Sequence, residues 1–403
     1  MNASHFYIPK TSEGATATYL CGHSLGPMPK NTEHYIEEEL KKWANLGVNA
    51  HFTEPKPWVD FHTLATPHLQ KLCGAKSHEV VAMGSLTQNL HLLLASFYKP
   101  DKQKRKILIE PNAFSSDIFA LESHLEWHGL DPKKNIIVID TQNKNGLISI
   151  EDIERIFKTE NNTIALCLIS GINYKTGQGL DLANVSQIVK KNQAILGLDL
   201  AHAIGNIPLK LNEWNIDFGV WCSYKYLNSG PGSIGGIFVH EKHGLNPKTF
   251  KLKGWWGTKK ENRFDMNSSF EGIVGAEGWQ LSNVPIFSLS MHLASLEIFE
   301  KFDYLDKLYP ITLHFQSILR DELESTIFKN KIKIITPHQN QGAMMCIEIP
   351  NKDVTWIVNQ LRQIGIICDA RKPAIIRVSF VPLFNTEDDI DVFVKALYKV
   401  ITH

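Results

Sequence analysis

Between Arg105 and Lys225 the chain alternates short apolar runs with amphipathic segments: "RKILIE", "SDIFALESHLEWHGL", "NIIVID", "SIEDIERIFK", "TIALCLIS", "LANVSQIVKKN", "AILGLDL" and "FGVWCSY". A strand that returns parallel to its neighbour needs a crossover connection, the crossover is right-handed, and its helix covers one face of the sheet. The alternation therefore predicts an α/β fold with a mostly parallel central sheet covered on both faces. After about residue 288 the pattern changes to a long helix, "SLSMHLASLEIFEKF", followed by the short strands "KIKIIT", "AMMCIEIP" and "IIRVSFV" around the helix "DVTWIVNQLRQIG". That texture predicts a smaller C-terminal α+β unit. The expected division is an N-terminal segment over 1–50 that packs on the rest, a large domain over 51–287 and a small domain over 288–403.

In an open parallel sheet, ligands bind outside the carboxyl ends of the strands. Four candidates fall on that edge: Asp199 ends "AILGLDL", Ser170 ends "TIALCLIS", Lys225 follows "FGVWCSY", and "NAFSSD" follows "RKILIE". Lysine is costly to bury, so one placed after a buried run is either just clear of the strand end or employed in chemistry. Asp199 reads equally as a cap for the segment after its strand. Ser116 and Asp117 read as an N-cap signal, and Phe114 as a core aromatic. "GSLTQNLHLLLASFY" adds a glycine turn at Gly84 ahead of an apolar helix, whose first amides at Leu86 and Thr87 would suit a phosphate or simply a capped core helix.

Composition removes some classes of partner. Lys plus Arg and Asp plus Glu are both 42, so the formal charge is zero and nothing favours nucleic acid or an anionic membrane. No apolar window is long enough to span a bilayer, and the N-terminus lacks the pattern of a signal peptide. The six cysteines show no zinc spacing and sit mostly in apolar runs, so they read as reduced core residues and the expected location is cytoplasmic.

A lysine, an aspartate, an aromatic ring and free helix amides on one sheet edge match the needs of pyridoxal 5′-phosphate. That cofactor requires an amine to carry it, an acid at its ring nitrogen, a ring face and donors for its phosphate.

The segments "YLCGHSLGPMPK", "SLTQNLHLLLASFY", "NAFSSD", "SGINYKTGQ", "DLAHAIGN", "WCSYKYLNSGPGSIGGIFVHEKH", "GWWG" and "LSNVPIF" together resemble the kynureninases, pyridoxal-phosphate-dependent hydrolases of fold type I. The resemblance runs from about Tyr19 to Pro382. It implies that Lys225 carries the cofactor, that Asp199 meets the ring nitrogen and that Phe114 stacks on the ring. Leu86, Thr87, Ser115, Ser116, Asp117 and Tyr224 would surround the cofactor, with Ser170 and His202 along its other edge. Trp255 and Asn283 would enter from the second subunit of a homodimer. Arg377 would hold the substrate α-carboxylate, although "IIRVSFVP" also reads as a strand with one surface charge.

The activity implied is hydrolysis of L-kynurenine or 3-hydroxy-L-kynurenine to anthranilate or 3-hydroxyanthranilate and L-alanine, with Lys225 as base and Tyr224 as proton donor. His51, Ser282 and Asn283 resemble the residues of family members that prefer the hydroxylated substrate. A class V aminotransferase or a cysteine desulfurase would share the fold and cofactor, but a desulfurase needs an exposed loop thiol, and Cys346 lies in the apolar pattern "AMMCIEIP". A binding protein without activity would have no need of Lys225, Asp199 and Arg377 together.

Overall fold

The structure is a computed structural model of the 403-residue chain and describes residues 3–141, 146–266, 269–339 and 341–402. In chain order, helix α1 (Thr32–Leu46) precedes β1 (Val80–Ala82), α2 (Leu86–Phe97), β2 (Lys106–Ile109), α3 (Ser115–Trp127) and β3 (Ile136–Val138). There follow α4 (Ile150–Thr159), β4 (Ile164–Ser170), α5 (Leu182–Lys191), β5 (Ile195–Asp199), β6 (Phe218–Cys222) and β7 (Gly235–Val239). The strands make one seven-stranded sheet in the order β1-β7-β6-β5-β4-β2-β3. Neighbours from β6 to β3 pair in parallel, whereas β7 is antiparallel to both β6 and β1.

Successive residues of each strand feed opposite cores, as the pleat requires. Ile107, Ile109, Leu166, Leu168, Phe218 and Val220 pack with Leu90, Leu93, Leu121 and Leu125 of α2 and α3. Leu108, Cys167, Ile169, Leu196 and Leu198 face the other way, toward Ile153 of α4 and Val185 and Val189 of α5. With both faces covered, each strand must be apolar throughout, which is why the runs in the sequence do not alternate. Local chemistry fixes where the crossover helices begin. At α4, Asp152 N donates to Ser149 Oγ while Ser149 N donates to Asp152 Oδ2, both at 3.1 Å, a reciprocal cap. At α5, Asn184 N donates to Asp181 Oδ1 at 3.1 Å.

Helix α6 (Ile286–Lys301) lies beside α1 and places Leu289, Leu293, Leu296 and Phe299 in the same core as the central sheet. Beyond it come α7 (Tyr309–Glu324), β8 (Lys333–Ile334), β9 (Met344–Glu348), α8 (Val354–Gln363), β10 (Asp369–Arg371), β11 (Ile375–Ser379) and α9 (Glu387–Thr402). These strands form an antiparallel sheet in the order β8-β9-β11-β10. Of the expected strand "KIKIIT" only Lys333–Ile334 pairs as a strand; at Thr336 the side chain takes over, its hydroxyl accepting from Cys346 N at 2.9 Å and donating to the Thr176 carbonyl at 2.8 Å. Met345, Ile347, Ile376 and Val378 pack with Phe315, Leu319, Ile357, Leu361 and Phe393 in a separate core, while Met344 and Cys346 on the other face of β9 join the large one.

The N-terminal segment stitches these parts together. Thr18–Tyr19 pairs in parallel with Ile366–Ile367, and Leu20 sits in the smaller core. Six residues on, Gly26 N donates to the Tyr224 carbonyl at 2.8 Å. A Cβ at Gly26 would lie 2.0 Å from Asn228 Oδ1 and 2.4 Å from the Lys225 carbonyl oxygen, so only glycine lets the chain approach this closely. Among the described residues no helix is long and apolar enough to cross a membrane.

Candidate active site

Because the central strands run parallel from β6 to β3, their carboxyl ends share one edge, and a cavity of about 240 Å³ opens there. Its lining brings together Leu86, Thr87, Phe114, Ser116, Ser170, Asp199, His202, Tyr224 and Lys225. Every one of these is a residue that the resemblance assigns to the cofactor. Glu110, Ile172, Tyr174 and Ala201, for which no role is expected, complete the wall. Glu110 had a signal of its own, since it ends "RKILIE" as Asp199 ends "AILGLDL".

Lys225 lies on the turn after β6, its Nζ 5.9 Å from the Phe114 ring centre and 5.8 Å from that of Tyr224. The amine therefore stands between two aromatic faces, and half-exposed Phe114 stands edge-on to Tyr174. Asp199 and Ser170 are register partners at the ends of β5 and β4. Asp199 Oδ1 accepts from Ala201 N at 2.7 Å. Ser170 donates its hydroxyl to Glu110 Oε1 at 2.6 Å, and Glu110 Oε2 has no partner among the described residues.

Three buried carboxyl groups, Glu110, Asp117 and Asp199, thus crowd beneath the cavity. Burial pushes Glu110 up to about 7, with the Ser170 and Asn173 hydrogen bonds opposing it. Asp117 sits behind Asp199 rather than on the cavity wall. Burial first, and then the neighbouring Asp199 carboxylate, raise its pKa well above the usual carboxylate range, because two negative charges cannot share a dry site cheaply. His202 is held neutral by burial and by the positive charges of Lys225 and Arg377, and its Nδ1 is unpartnered among the described residues. Burial likewise holds the Tyr224 hydroxyl in its protonated form.

One end of the cavity is built by the start of α2. Gly84 takes a left-handed conformation (φ 51°) that turns the chain from β1 into the helix, and Ser85 N donates to Gln88 Oε1 at 3.0 Å. The amides of Leu86 and Thr87 in the first turn remain for a ligand. Gly235 of β7 lets this end approach, since a Cβ there would stand 3.2 Å from Leu86 N.

Unpartnered Glu110 Oε2 and His202 Nδ1, on residues that line the same cavity as Lys225, are what a polar, ring-shaped cofactor would satisfy. The residues present fit pyridoxal phosphate. Lys225 would carry it, Asp199 backed by Asp117 would face its ring nitrogen, Phe114 would cover one face, and the start of α2 with Ser116 and Tyr224 would receive the phosphate.

The remaining expected residues stand elsewhere. Ser115 is exposed and off the cavity. Arg377 is not a surface charge: it is 1% exposed. Its Nη1 donates to the carbonyl of cavity residue Tyr174 at 2.8 Å, and its Nε donates to Asp369 Oδ1 at 2.8 Å. Trp255 is half-exposed and donates its indole N–H to the Arg263 carbonyl at 2.8 Å. Ser282 is exposed, Asn283 Oδ1 accepts from Val284 N at 2.9 Å, and His51 packs edge-on against Trp58 with Nδ1 3.1 Å from the Val48 carbonyl oxygen. None of these four lines the cavity of its own chain. Cys346 is fully buried on β9, and burial pushes its thiol up to about 12, so it is not the loop thiol that a desulfurase requires.

The fold is shared with proteins of distant sequence. The apo structure of a cysteine desulfurase from Thermococcus onnurineus superposes with a TM-score of 0.78 at 16% identity, covering 96% of this chain and 95% of that one. The cystine C–S lyase C-DES, in complex with its product cysteine persulfide, gives 0.79 at 16% identity, covering 95% of this chain and 97% of the other. At that identity the likeness is one of architecture. Sequence relatives are more specific. A kynureninase from Myxococcus xanthus is 40% identical over 397 residues, spanning 97% of this chain and 92% of its own length. Kynureninase 2 from Aspergillus oryzae is 40% identical, spanning 94% and 84%. Residues 312–397 match the kynureninase C-terminal domain family. With that extent of identity and the lysine-bearing cavity in place, the chain belongs to the kynureninase family.

Proposed function

We propose that this protein is a kynureninase: it hydrolyses the Cβ–Cγ bond of L-kynurenine or 3-hydroxy-L-kynurenine, giving anthranilate or 3-hydroxyanthranilate and L-alanine. What carries the reading is the 40% identity over 97% of the chain to a kynureninase, joined to a cavity that gathers Lys225, Asp199 and Phe114. Pyridoxal 5′-phosphate, when bound, supplies a carbonyl for the substrate amino group and a cationic ring that takes up an electron pair from the α-carbon.

The chain's own groups do the rest. Lys225, released by the incoming amine, would remove the α-proton and hold it on its ε-amine for redelivery. Asp199 keeps a proton on the ring nitrogen, and Asp117, held in its acid form, supports it without adding a second full charge. Arg377 holds the α-carboxylate. Water adds to the γ-carbonyl, the Cβ–Cγ bond breaks, the Tyr224 hydroxyl moves the protons at the cleaved atoms, and the aryl acid leaves before alanine.

The active unit in this reading is a homodimer in which Trp255 and Asn283 of one subunit complete the cavity of the other. Their position off their own chain's cavity supports this. The six free, buried thiols are consistent with a reducing, cytoplasmic setting. The hydroxylated substrate is preferred, because polar groups from His51, Ser282 and Asn283 would be left unpaired by a ring lacking the hydroxyl, at about 1–3 kcal/mol.

Purified protein incubated with each substrate releases aryl amine and alanine; no product from either rejects the function. The catalytic efficiency should favour 3-hydroxykynurenine by about one to two orders of magnitude. The triple variant His51→Trp, Ser282→Gly, Asn283→Thr should erase that margin, and a wild type with equal efficiencies would remove the preference while leaving the activity.

A further inference from the structure

Buried Arg377 lies against a partly buried acid. Across the β10–β11 pair, Asp369 is the register partner of Arg377. Its carboxylate takes hydrogen bonds from Nε and Nη2 of the guanidinium. Two residues of the N-terminal segment hold that carboxylate in turn. Ser24 donates its hydroxyl to Asp369 Oδ2 at 2.9 Å and receives Arg377 Nη2 at 3.3 Å. His23 lies fully buried with Nε2 3.2 Å from Asp369 Oδ1 and Nδ1 2.9 Å from Ser379 Oγ, which also meets the Tyr226 hydroxyl at 3.2 Å. Arg371 Nη2 stands 3.2 Å from Asp369 Oδ2.

A guanidinium offers five N–H groups in a planar fork. Asp369 and Ser24 occupy the Nε and Nη2 side, and Nη1 rests on the carbonyl of Tyr174, a cavity residue, although Arg377 itself does not line the cavity. A carbonyl is a neutral acceptor, so a carboxylate arriving at Nη1 makes the stronger, charge-assisted bond and displaces it. Rotating the fork to meet a ligand would break both of its bonds to the partly buried Asp369, which opposes that motion.

We propose that Asp369, seated by Ser24 and His23, is the positioning residue that fixes Arg377 so that its Nη1 corner is presented to the substrate α-carboxylate. The N-terminal segment is then part of substrate recognition. It reaches Asp369 through Ser24 and His23, and two residues later touches the Lys225 turn through Gly26. One stretch of backbone thus sets the spacing between the group that takes the carboxylate and the group that takes the amine. The inference rests on the role given to Arg377 in the kynureninase reading.

The test is a binding titration of the holoenzyme, followed by cofactor absorbance, with L-alanine and with ethylamine, which is alanine without its carboxylate. Asp369→Asn should weaken L-alanine by about 10- to 100-fold, the scale of a misaligned charge-assisted contact, and shift ethylamine by less than about threefold. Ser24→Ala, which leaves the ion pair intact, should weaken L-alanine by roughly two- to fivefold with ethylamine unmoved. Arg377→Lys should lose L-alanine at least as severely as Asp369→Asn. Should Asp369→Asn fail to fold, the Ser24→Ala titration decides alone. Unchanged L-alanine binding in Asp369→Asn, in Arg377→Lys or, where it decides alone, in Ser24→Ala, or equal losses for both ligands, overturns the inference. Because the titration needs no turnover, these outcomes are separate from a wild type that yields no product from kynurenine, which rejects the function itself.

Discussion

Two buried polar clusters meet at Tyr174, and they solve the problem of buried charge in opposite ways. The Arg377 cluster is nearly closed: Arg377 and Asp369 pair directly, His23 Nε2 lies 3.2 Å from Asp369 Oδ1 without an aligned hydrogen bond, and Arg377 and His23 hold Asp369 far below the usual carboxylate range against the cost of burial. The cavity is open. Three carboxyl groups surround one amine, Glu110 and Asp117 are driven toward their protonated forms, and three polar atoms have no partner among the described residues. A cluster that presents one corner of a guanidinium to a ligand can be satisfied almost wholly within the chain, with Nη1 resting on a displaceable carbonyl. One that encloses a ligand must leave bonds unmade, and crowding of like charges there favours the protonated acids.

The largest expected effect comes from the one amine of the open cluster. Lys225→Ala should reduce turnover by roughly four orders of magnitude or more, since both anchor and base are lost. Borohydride reduction of the wild-type holoenzyme should fix the cofactor on the peptide containing Lys225. Label on another lysine would mean that the cavity has been misread.

Next in size is a contrast between the two aspartates. Asp199→Asn removes the charge facing the ring nitrogen and should slow turnover by about 10²- to 10³-fold, the scale of a lost preorganised electrostatic contact. Asp117→Asn replaces a carboxyl already biased toward its acid form by a neutral group of the same shape, and should cost less than about tenfold. Equal losses in steady-state rate would show that both carry charge in the working enzyme and would break the account of the open cluster.

The smallest effects concern stability and have opposite signs in the two clusters. Burial, and then the Arg377 charge, lower His23 from 6.5 to about 4. The unfolded chain therefore binds a proton that the folded one refuses, and stability present above pH 6.5 is lost as pH falls toward 4. For Glu110, raised from 4.5 to about 7, stability present below pH 4.5 is lost as pH rises toward 7. Each slope is at most about 1.4 kcal/mol per pH unit. In urea unfolding of cofactor-free protein between pH 4 and 8, His23→Gln should flatten the acid limb and Glu110→Gln the rise-side loss. Variants that flatten the same limb would dissolve the distinction.

Much of this was legible in order along the chain. The strand and helix alternation is a local pattern, and a parallel sheet places all carboxyl ends together, so Ser170, Asp199, Lys225 and the "NAFSSD" turn could be assigned to one edge without coordinates. Glu110 obeyed the same rule and was passed over because a glutamate after an apolar run also reads as the first solvated residue. The resemblance to a family supplied the roles that spacing could not, those of Trp255, Ser282, Asn283 and His51 among them.

The layered fold and the edge on which its chemistry sits were written locally, because both follow from periodicity and chain direction, which neighbouring residues encode. Which charges meet a partner was settled by long-range packing. "IIRVSFV" has the same pattern whether its arginine faces water or not. Arg377 is buried and held by one edge because β10 sets Asp369 opposite it and the N-terminal segment returns Ser24 and His23 to the same point. Pairing between distant segments is fixed by packing, and no local pattern records it.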